Sequence, residues 1–143
     1  MIVDIINKSN NPNPKYSTEQ SAGMDLHAFL TEEIILKPME RILIPTGLYF
    51  GIPDGYEVQI RPRSGLALKN GISVLNTPGT IDSDFSGQIC VILINLSQED
   101  FVISSGDRIA QMILNKYEKV EFNNVTELSK TERGEGGFGH TGK

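Results

Sequence analysis

Glycine and proline recur so often along this chain that few long regular elements fit between them. The 143 residues contain 14 glycines and 7 prolines, and both residue types interrupt helices and favour turns. The stretches between them are short apolar runs rich in β-branched residues, such as 89–94 and 101–103. Short runs with tight connections predict an all-β subunit, a sandwich or barrel of the jelly-roll type.

The same pattern predicts where the strands lie. Alternation is clearest at 57–61, where Val58 and Ile60 are expected to point inward while their polar neighbours point outward. A last short strand is predicted at 120–122. The other predicted strands lie at 2–6, 21–28, 34–36, 41–44, 48–50, 89–95, 101–103 and 106–114.

Length and composition indicate a single domain around one core. Hydrophobic residues make up 38% and charged residues 22% of the chain, and no apolar run approaches the ~20 residues that cross a bilayer. The N-terminus lacks the basic and apolar regions of a signal peptide. The single cysteine, Cys90, lies in an apolar run, where a small buried side chain is expected, and one unpaired thiol suits a reducing cytoplasm.

A net charge of −5 argues against a nucleic-acid surface, although a locally basic pocket can still bind an anionic substrate. The stretch 61–71 offers such a pocket, because it breaks the β pattern and predicts one short helix. Ser64 would cap this helix and Gly71 would end it. Amides at a helix start attract phosphate, and Arg63 would add a forked donor. Taken alone, these residues equally describe a capped helix beside a solvated arginine.

Two carboxylates, one aromatic ring and two glycines lie within residues 76–88. An uninterrupted strand would place Asp82 and Phe85 on opposite faces, so a shared pocket requires the chain to turn between them. The serines of this stretch and the glycine after Phe85 suit such a turn. We therefore predict a hairpin whose first arm ends near Asp82 and whose second arm begins near Gln88.

Two stretches nearer the C-terminus add further polar residues. Strand alternation at 106–114 places Gln111 on one face with the isoleucines two positions before and after it, so Gln111 needs polar partners if buried. Residues 131–143 have no core-forming pattern and by composition describe a disordered tail. Phe138 among glycines also fits a mobile lid, in which Arg133 holds a phosphate and the ring covers a base.

Five stretches, in order along almost the whole chain, together resemble the trimeric dUTP diphosphatase (dUTPase) family. Each one alone is a weak signal, whereas five in the family's order within so short a chain are specific. They are Ala22-Gly-Met-Asp-Leu26, Pro62-Arg-Ser-Gly65, Asn76 through Gln88, Gly106-Asp-Arg-Ile-Ala-Gln111 and Arg133-Gly-Glu-Gly-Gly-Phe-Gly139.

The resemblance implies a jelly-roll-like domain at 1–130 and a mobile arm at 131–143 that closes over a neighbouring subunit's pocket in a homotrimer with shared active sites. Such enzymes hydrolyse dUTP to dUMP and pyrophosphate by water attack on the α-phosphate. That reaction keeps uracil out of DNA and supplies dUMP for thymidylate synthesis. Magnesium would travel on the triphosphate, so no fixed metal cage is expected. No nucleic-acid or membrane partner is implied, and a cytoplasmic location is expected.

The resemblance also implies a role for each site residue. Asp82 would be the general base, because an aspartate is ordinarily ionised near neutral pH and can polarise a water. Asp25 would meet Mg²⁺ through water, and Phe85 would pack beneath the deoxyribose and exclude a 2′-hydroxyl. The remaining implied substrate-binding residues are Arg63, Ser64, Gly65, Gln111 and Arg133 for the phosphates, Asn76, Gly79, Thr80, Ile81 and Phe138 for the uracil, and Gly139 in the arm.

Two charged residues of these motifs are expected to be structural. Asp84 would support Asp82, and Arg108 would form scaffold salt bridges.

Two residues depart from the family pattern. Members commonly have tyrosine at the position of Phe85, so stacking survives here while a phenolic hydrogen bond is lost. His140 stands where many members have serine, and a histidine there would add pH dependence near neutrality.

Three other functions stay open at this point. A dCTP deaminase has a similar fold, but no glutamate stands out as the acid–base group that cytosine deamination needs. A nucleotide sensor or a protein-binding module on the same scaffold would bind dUTP without turnover and would have no use for Asp82 as a base. A purely structural jelly roll would give no reason for five polar motifs in this order.

Overall fold

The computed structural model describes residues 1–138 and consists of short antiparallel strands with one helix. The predicted all-β class is confirmed. No helix in the described residues has the length and apolarity to cross a membrane. The elements are β1 (Asp4–Asn7), β2 (Met24–His27), β3 (Ile34–Leu36), β4 (Arg41–Pro45), β5 (Leu48–Gly51), β6 (Tyr56–Arg61), α1 (Ser64–Asn70), β7 (Ile72–Val74), β8 (Gly79–Ile81), β9 (Cys90–Asn95), β10 (Phe101–Ile103) and β11 (Arg108–Lys116).

Two larger sheets enclose the core. One has four strands in the order β2-β11-β6-β8 and the other has three in the order β4-β9-β7, while β1 pairs with β5 and β3 pairs with β10. Side chains from both larger sheets join one buried cluster. Its members include Leu26, Val58, Ile60 and Met112 from the first sheet and Ile44, Ile72, Val74, Val91 and Leu93 from the second.

Strand β6 shows how alternation in the sequence builds this core. Val58 and Ile60 are 0% and 2% exposed, which confirms the prediction for this strand. Burial of each such side chain stabilises the fold by about 1.5–3 kcal/mol. The residues between them, such as Gln59, then lie on the outer face of the four-stranded sheet, and that face carries much of the candidate site.

The predicted hairpin within 76–88 is wrong in its pairing. Strand β8 pairs with β6, whereas β9 pairs with β4 and β7. Residues 82–89, which we call the crossing segment, therefore run from one sheet to the other. The predicted turn is present, because the Phe85 N–H donates to the Asp82 carbonyl oxygen at 3.2 Å. The ends of a strand follow from its local sequence, whereas the strand with which it pairs depends on residues far away in the sequence.

The start of the helix also differs from the prediction. Arg63, not Ser64, is the N-cap residue, and no side chain caps the helix. The Arg63 backbone is extended, with φ −92° and ψ 128°, and Ser64 is the first helical residue. The Arg63 side chain forms an ion pair that is described below. The predicted exit is correct, because Gly71 has a left-handed φ of 66°, which glycine adopts without steric cost.

Two β predictions near the C-terminus are wrong. Strand β11 shifts register between Arg108 and Ala110, so Ile109 and Ala110 are both buried. A bulge of this kind breaks strict alternation, and Ile109 therefore does not share the face of Gln111. Residues 120–122 form no strand and are exposed, because β11 ends at Lys116 and the described residues pair no other strand with this stretch.

Candidate active site

Asp25 lies between two arginines on the four-stranded sheet. Arg63 Nε donates to Asp25 Oδ1 at 2.9 Å, and Arg108 Nη1 donates to Oδ2 at 3.2 Å. Arg63 Nη1 also donates to the Arg108 carbonyl oxygen at 3.2 Å. The side chains of Arg63 and Asp25 are 24% and 25% exposed, against 56% for Arg108. One carboxylate therefore holds two guanidinium groups, and the local charge is positive although the chain is acidic.

Gln111 extends this group across the sheet, and we call Asp25, Arg63, Arg108 and Gln111 the cationic cluster. Gln111 lies opposite Asp25 in the strand register, and its Nε2 donates to the Pro62 carbonyl oxygen at 2.9 Å. A Cβ on Gly23 would lie 2.5 Å from Gln111 Oε1. Only glycine at position 23 therefore leaves room for the amide in this orientation.

A cavity of about 390 Å³ opens beside the cationic cluster. Asp25 and Gln111 line it, together with Arg61 and the loop that ends at Gly23. Ser64 and Gly65 follow Arg63 at the first turn of α1, and both are exposed. The Arg61 guanidinium and the Gln111 amide line this cavity, and donors of these kinds suit an anionic ligand.

A smaller cavity, of about 90 Å³, gathers Asn76, Gly79, Thr80 and Ile81. A Cβ on Gly79 would lie 3.3 Å from the Asn76 amide nitrogen, so this amide packs directly over the glycine backbone. An amide and open backbone offer both donors and acceptors, which suits the polar edge of a planar base. Cys90 also lines this cavity. It is half-buried rather than fully buried, and burial raises the pKa of its thiol.

The crossing segment carries the two predicted carboxylates and the aromatic ring. Asp82 and Asp84 are exposed, and Phe85 is 43% exposed. A Cβ on Gly87 would lie 2.5 Å from Cζ of Phe85, so the outer edge of the ring packs against the glycine. Gln88 anchors the end of the segment, because its Oε1 accepts a backbone N–H from the turn between β4 and β5 at 3.0 Å.

Within one chain the cationic cluster and the crossing segment lie far apart. Asp25 is level with Arg61 at one end of β6, whereas Asp82 follows β8 at the other end, beyond the pairing of Ile81 with Val58. Three strand spacings of ~4.8 Å and four residues of ~3.3 Å separate Asp25 from Asp82 by roughly 20 Å. The two cavities also share no lining residue.

The described part of the C-terminal stretch does not reach either cavity. Arg133 Nε donates to a carbonyl oxygen three residues later at 2.8 Å, and the described hydrogen bonds of residues 131–138 stay within that stretch. Phe138 is fully exposed. The predicted contact at Gly139 and the departure at His140 lie outside the described residues.

The side chains near Asp25 fit a metal ion that is contacted through a bound water and not by direct protein ligands. Within residues 1–138, no three His, Cys, Asp or Glu side chains are grouped as metal ligands. Asp25 gives one oxygen to each arginine, but a carboxylate has about four acceptor positions, so it can also accept from a metal-bound water. An ion that keeps its waters and binds phosphate, such as Mg²⁺, matches these residues.

Sequence reasoning missed three residues that shape the site. Gly23 and Gln88 position other side chains, and both lie inside the stretches that carry the family resemblance, which was the available signal. Arg61 was taken only as the end of an alternating strand. Its place beside Gln111 depends on the pairing of β6 with β11, and the sequence pattern did not predict that pairing.

Comparison with known proteins gives a consistent result. Residues 9–142 match the dUTPase family model. A deoxyuridine 5'-triphosphate nucleotidohydrolase from Finegoldia magna is 62% identical over 142 residues, 99% of both chains. The solved Staphylococcus bacteriophage 80alpha dUTPase with dUPNHPP is 24% identical, covers 99% of each chain and has a TM-score of 0.85. A mutant dUTPase from S. aureus phage phi11, described with a structural Mg(II) ion, is 21% identical over 91% of this chain and 100% of its own, with a TM-score of 0.80.

Proposed function

The chain belongs to the dUTPase family, and we propose that it hydrolyses dUTP to dUMP and pyrophosphate by attack of water on the α-phosphate. The observation that carries this proposal is a donor-rich cavity for phosphate together with a separate small cavity of base-reading groups. The activity removes dUTP before a polymerase inserts it and supplies dUMP for thymidylate synthesis. A single thiol fits work in the reducing cytoplasm.

Asp82 is the general base in this proposal. Its carboxylate is exposed and makes no side-chain hydrogen bond in the described part of the chain, so its acceptor positions are open to a water. The carboxylate takes a proton from that water as the water attacks phosphorus. General-base catalysis of this kind contributes about 10²–10⁴-fold in rate.

Arg63 and Gln111 of the cationic cluster bind the phosphate chain, while Arg108 supports them through its ion pair with Asp25. Arg63 is held through Nε and Nη1, which leaves Nη2 free to donate to a phosphate oxygen. Gln111, Ser64 and the Gly65 backbone add donors beside it. Because these donors are fixed before the reaction, they stabilise the charge that grows on the phosphate oxygens at little reorganisation cost.

The smaller cavity reads the base, and two aromatic rings flank the nucleoside. Asn76 and the backbone of 79–81 pair with the uracil edge, where cytosine would leave mismatched groups unpaired at about 1–3 kcal/mol each. Phe85 packs beneath the deoxyribose and leaves no room for a 2′-hydroxyl. Residues 1–130 form the domain, and residues 131–143 form an arm that brings Arg133 to the phosphates, Phe138 over the base and Gly139 to the substrate.

Magnesium is the proposed cofactor, bound to the triphosphate and touched by Asp25 through water. When bound, the ion shields the charge of the phosphate oxygens. The support within this chain is that Asp25 keeps free acceptor positions but stands in no cluster of ligands among residues 1–138.

The proposed assembly is a homotrimer with shared sites, as the family resemblance implies. The separation of roughly 20 Å between Asp25 and Asp82 supports sharing, because one site would then combine the cationic cluster of one chain with the crossing segment of another. The outer face of the three-stranded sheet supports an assembly. This apolar face consists of Leu43, Pro45, Cys90, Ile92 and Ile94, which pair across strands and alternate with core residues. Leu43 is 58% exposed in the single chain and the other four are partly exposed, and an apolar face that is open to solvent supports an interface.

The test is the release of pyrophosphate and ammonia from dUTP, dCTP, dTTP and UTP, with and without Mg²⁺. We expect pyrophosphate from dUTP alone, and more of it with the metal. Ammonia from dCTP would show a deaminase instead. Tight binding of dUTP with neither product would show a sensor, and light scattering on the same sample tests the trimer.

A further inference from the structure

Arg61 is an arginine whose charge no carboxylate neutralises in the part of the chain that the structure describes. Arg63 and Arg108 share the carboxylate of Asp25. Arg61 instead donates from Nη2 and Nε to the amide oxygen of Gln59, at 2.6 and 3.2 Å. This bond orients the guanidinium group while leaving its charge available to another ligand.

A relay along the outer face of β6 fixes that orientation. Gln59 Nε2 donates to Glu57 Oε1 at 2.7 Å, so the amide is held at one end by Glu57 and holds Arg61 at the other. Residues two apart on a strand share a face, which is why the three side chains can form this line. The neutral amide keeps the carboxylate and the guanidinium apart.

Arg61 is also aligned with the cationic cluster. It lies opposite Gln111 on β11, and Gln111 lies opposite Asp25 on β2. Directly opposed residues have Cβ atoms about 4.5–5.5 Å apart and side chains on one face. Arg61 is exposed and lines the same cavity as Asp25 and Gln111, so its free donors reach a ligand that Gln111 binds.

We propose that Arg61 is a further substrate-binding residue, which binds the pyrophosphate part of dUTP. The inference rests on the proposed function. Asp25, at the other end of the same row, is the residue proposed to meet the magnesium that the triphosphate carries. The row from Asp25 to Arg61 therefore serves the β- and γ-phosphates, which dUMP lacks.

The experiment compares Arg61→Gln with Lys37→Gln, since each removes one positive charge. Lys37 is exposed in the turn between β3 and β4, on a different sheet. Arg61→Gln is expected to raise the KM for dUTP about tenfold, as loss of a charge-assisted hydrogen bond predicts. Its kcat should stay within about twofold, because the proposed contact is to the β- and γ-phosphates and not to the α-phosphate that the water attacks. Lys37→Gln should match the wild type.

Inhibition by the two products shows which part of the substrate Arg61 contacts. Inhibition by pyrophosphate should weaken in Arg61→Gln as much as the KM rises, while inhibition by dUMP should stay unchanged. Arg61→Lys keeps the charge but loses the fork, so its KM should lie between those of the wild type and Arg61→Gln. Circular dichroism should show the same fold in all variants, because Arg61 is exposed.

Three results would overturn the proposal: an unchanged KM in Arg61→Gln, an equal rise in Lys37→Gln, or an equal weakening of dUMP inhibition. If the wild type releases no pyrophosphate from dUTP, the proposed function fails. Calorimetry with pyrophosphate alone then still tests Arg61, because wild type and Arg61→Gln should differ in affinity if this residue binds it.

Discussion

The cationic cluster and the crossing segment hold their functional side chains in opposite ways. In the cluster, both oxygens of Asp25 are bonded to arginines, and Gln111 donates to a backbone carbonyl oxygen. In the crossing segment, Asp82 makes no side-chain hydrogen bond in the described chain, and the Phe85 ring is 43% exposed. The charged side chains of the cluster are bonded to one another, whereas Asp82 and Phe85 of the crossing segment are exposed.

This difference shows that the two regions differ in rigidity, and the difference suits the role that we propose for each. Groups that stabilise charge must be fixed in advance, because their reorganisation during the reaction would cost free energy. Strands with cross-strand ion pairs provide that rigidity. In the function that we propose, a base and an aromatic ring need only be presented on a short anchored segment, which the substrate and a second chain would then enclose.

The largest expected effect is in the crossing segment. Asp82→Asn should lower kcat about a thousandfold, because the amide cannot take a proton from water. The KM for dUTP should change little and circular dichroism should not change, since Asp82 supports neither the fold nor the phosphates. Asp84→Asn is the matched control in the same segment, and a comparable loss there would shift the role of base away from Asp82.

The next effect tests whether the two regions meet only between chains. Leu43→Glu places a charge on the apolar face, so we expect a monomer by light scattering. Because Leu43 also lines the smaller cavity, the expected loss of activity, about a hundredfold or more, has two sources, and retained activity in a monomer is the decisive result. Ile35→Glu is the control, because Ile35 on β3 is 59% exposed against 58% for Leu43. A fully active Leu43→Glu monomer would show that one chain holds a complete site.

A smaller effect is expected in the cationic cluster, where one substitution should lower both stability and activity. Asp25→Asn removes the shared partner of two arginines whose pairs are only partly buried, so we expect about 1 kcal/mol of lost stability. The value of kcat/KM should fall about tenfold, because Arg63 loses its anchor. Chemical unfolding of Asp25→Asn and Asp82→Asn side by side checks the contrast, which would vanish if both lost the same stability.

The smallest predicted effect concerns the ring of the crossing segment. Gly87→Ala adds a Cβ that would lie 2.5 Å from Cζ of Phe85, so the ring must shift from the position in which we propose that it meets the sugar. We expect the preference for dUTP over UTP to fall about fivefold, with little change in stability. Ser86→Ala is the neighbouring control, and unchanged preference in Gly87→Ala would separate sugar discrimination from Phe85.

The same contrast explains what the sequence could predict. Strand positions such as that of β6 follow from local alternation, and the turn at Asp82–Phe85 follows from local turn chemistry. The partners of β8 and β9 depend on distant residues, so the hairpin was predicted wrongly. The stretch 120–122 has a strand-like sequence but no partner within the described chain. A short sequence pattern indicates whether its residues favour a strand. Whether a strand forms also depends on a partner strand, which lies outside that pattern.

The candidate site was predictable to the same extent. The clustering of Asn76 with 79–81 is local and agrees with the resemblance. The ion pairs of Asp25 with Arg63 and Arg108 join residues 38 and 83 positions apart, and no local pattern predicts the strand register that brings them together. Arg61 was missed for the same physical reason, because its neighbour Gln111 lies on another strand.

Complementation between two variants tests most directly whether each site is shared between chains. Asp82→Asn and Arg63→Gln are each expected to have little activity alone. Refolded together in equal amounts as trimers, they should leave about a quarter of the sites with an intact cationic cluster from one chain and an intact Asp82 from its neighbour. Recovery of about that fraction of wild-type activity is the result we predict. No recovery, in mixtures shown to contain both variants in one trimer, would mean that both groups act from the same chain and would contradict the shared site.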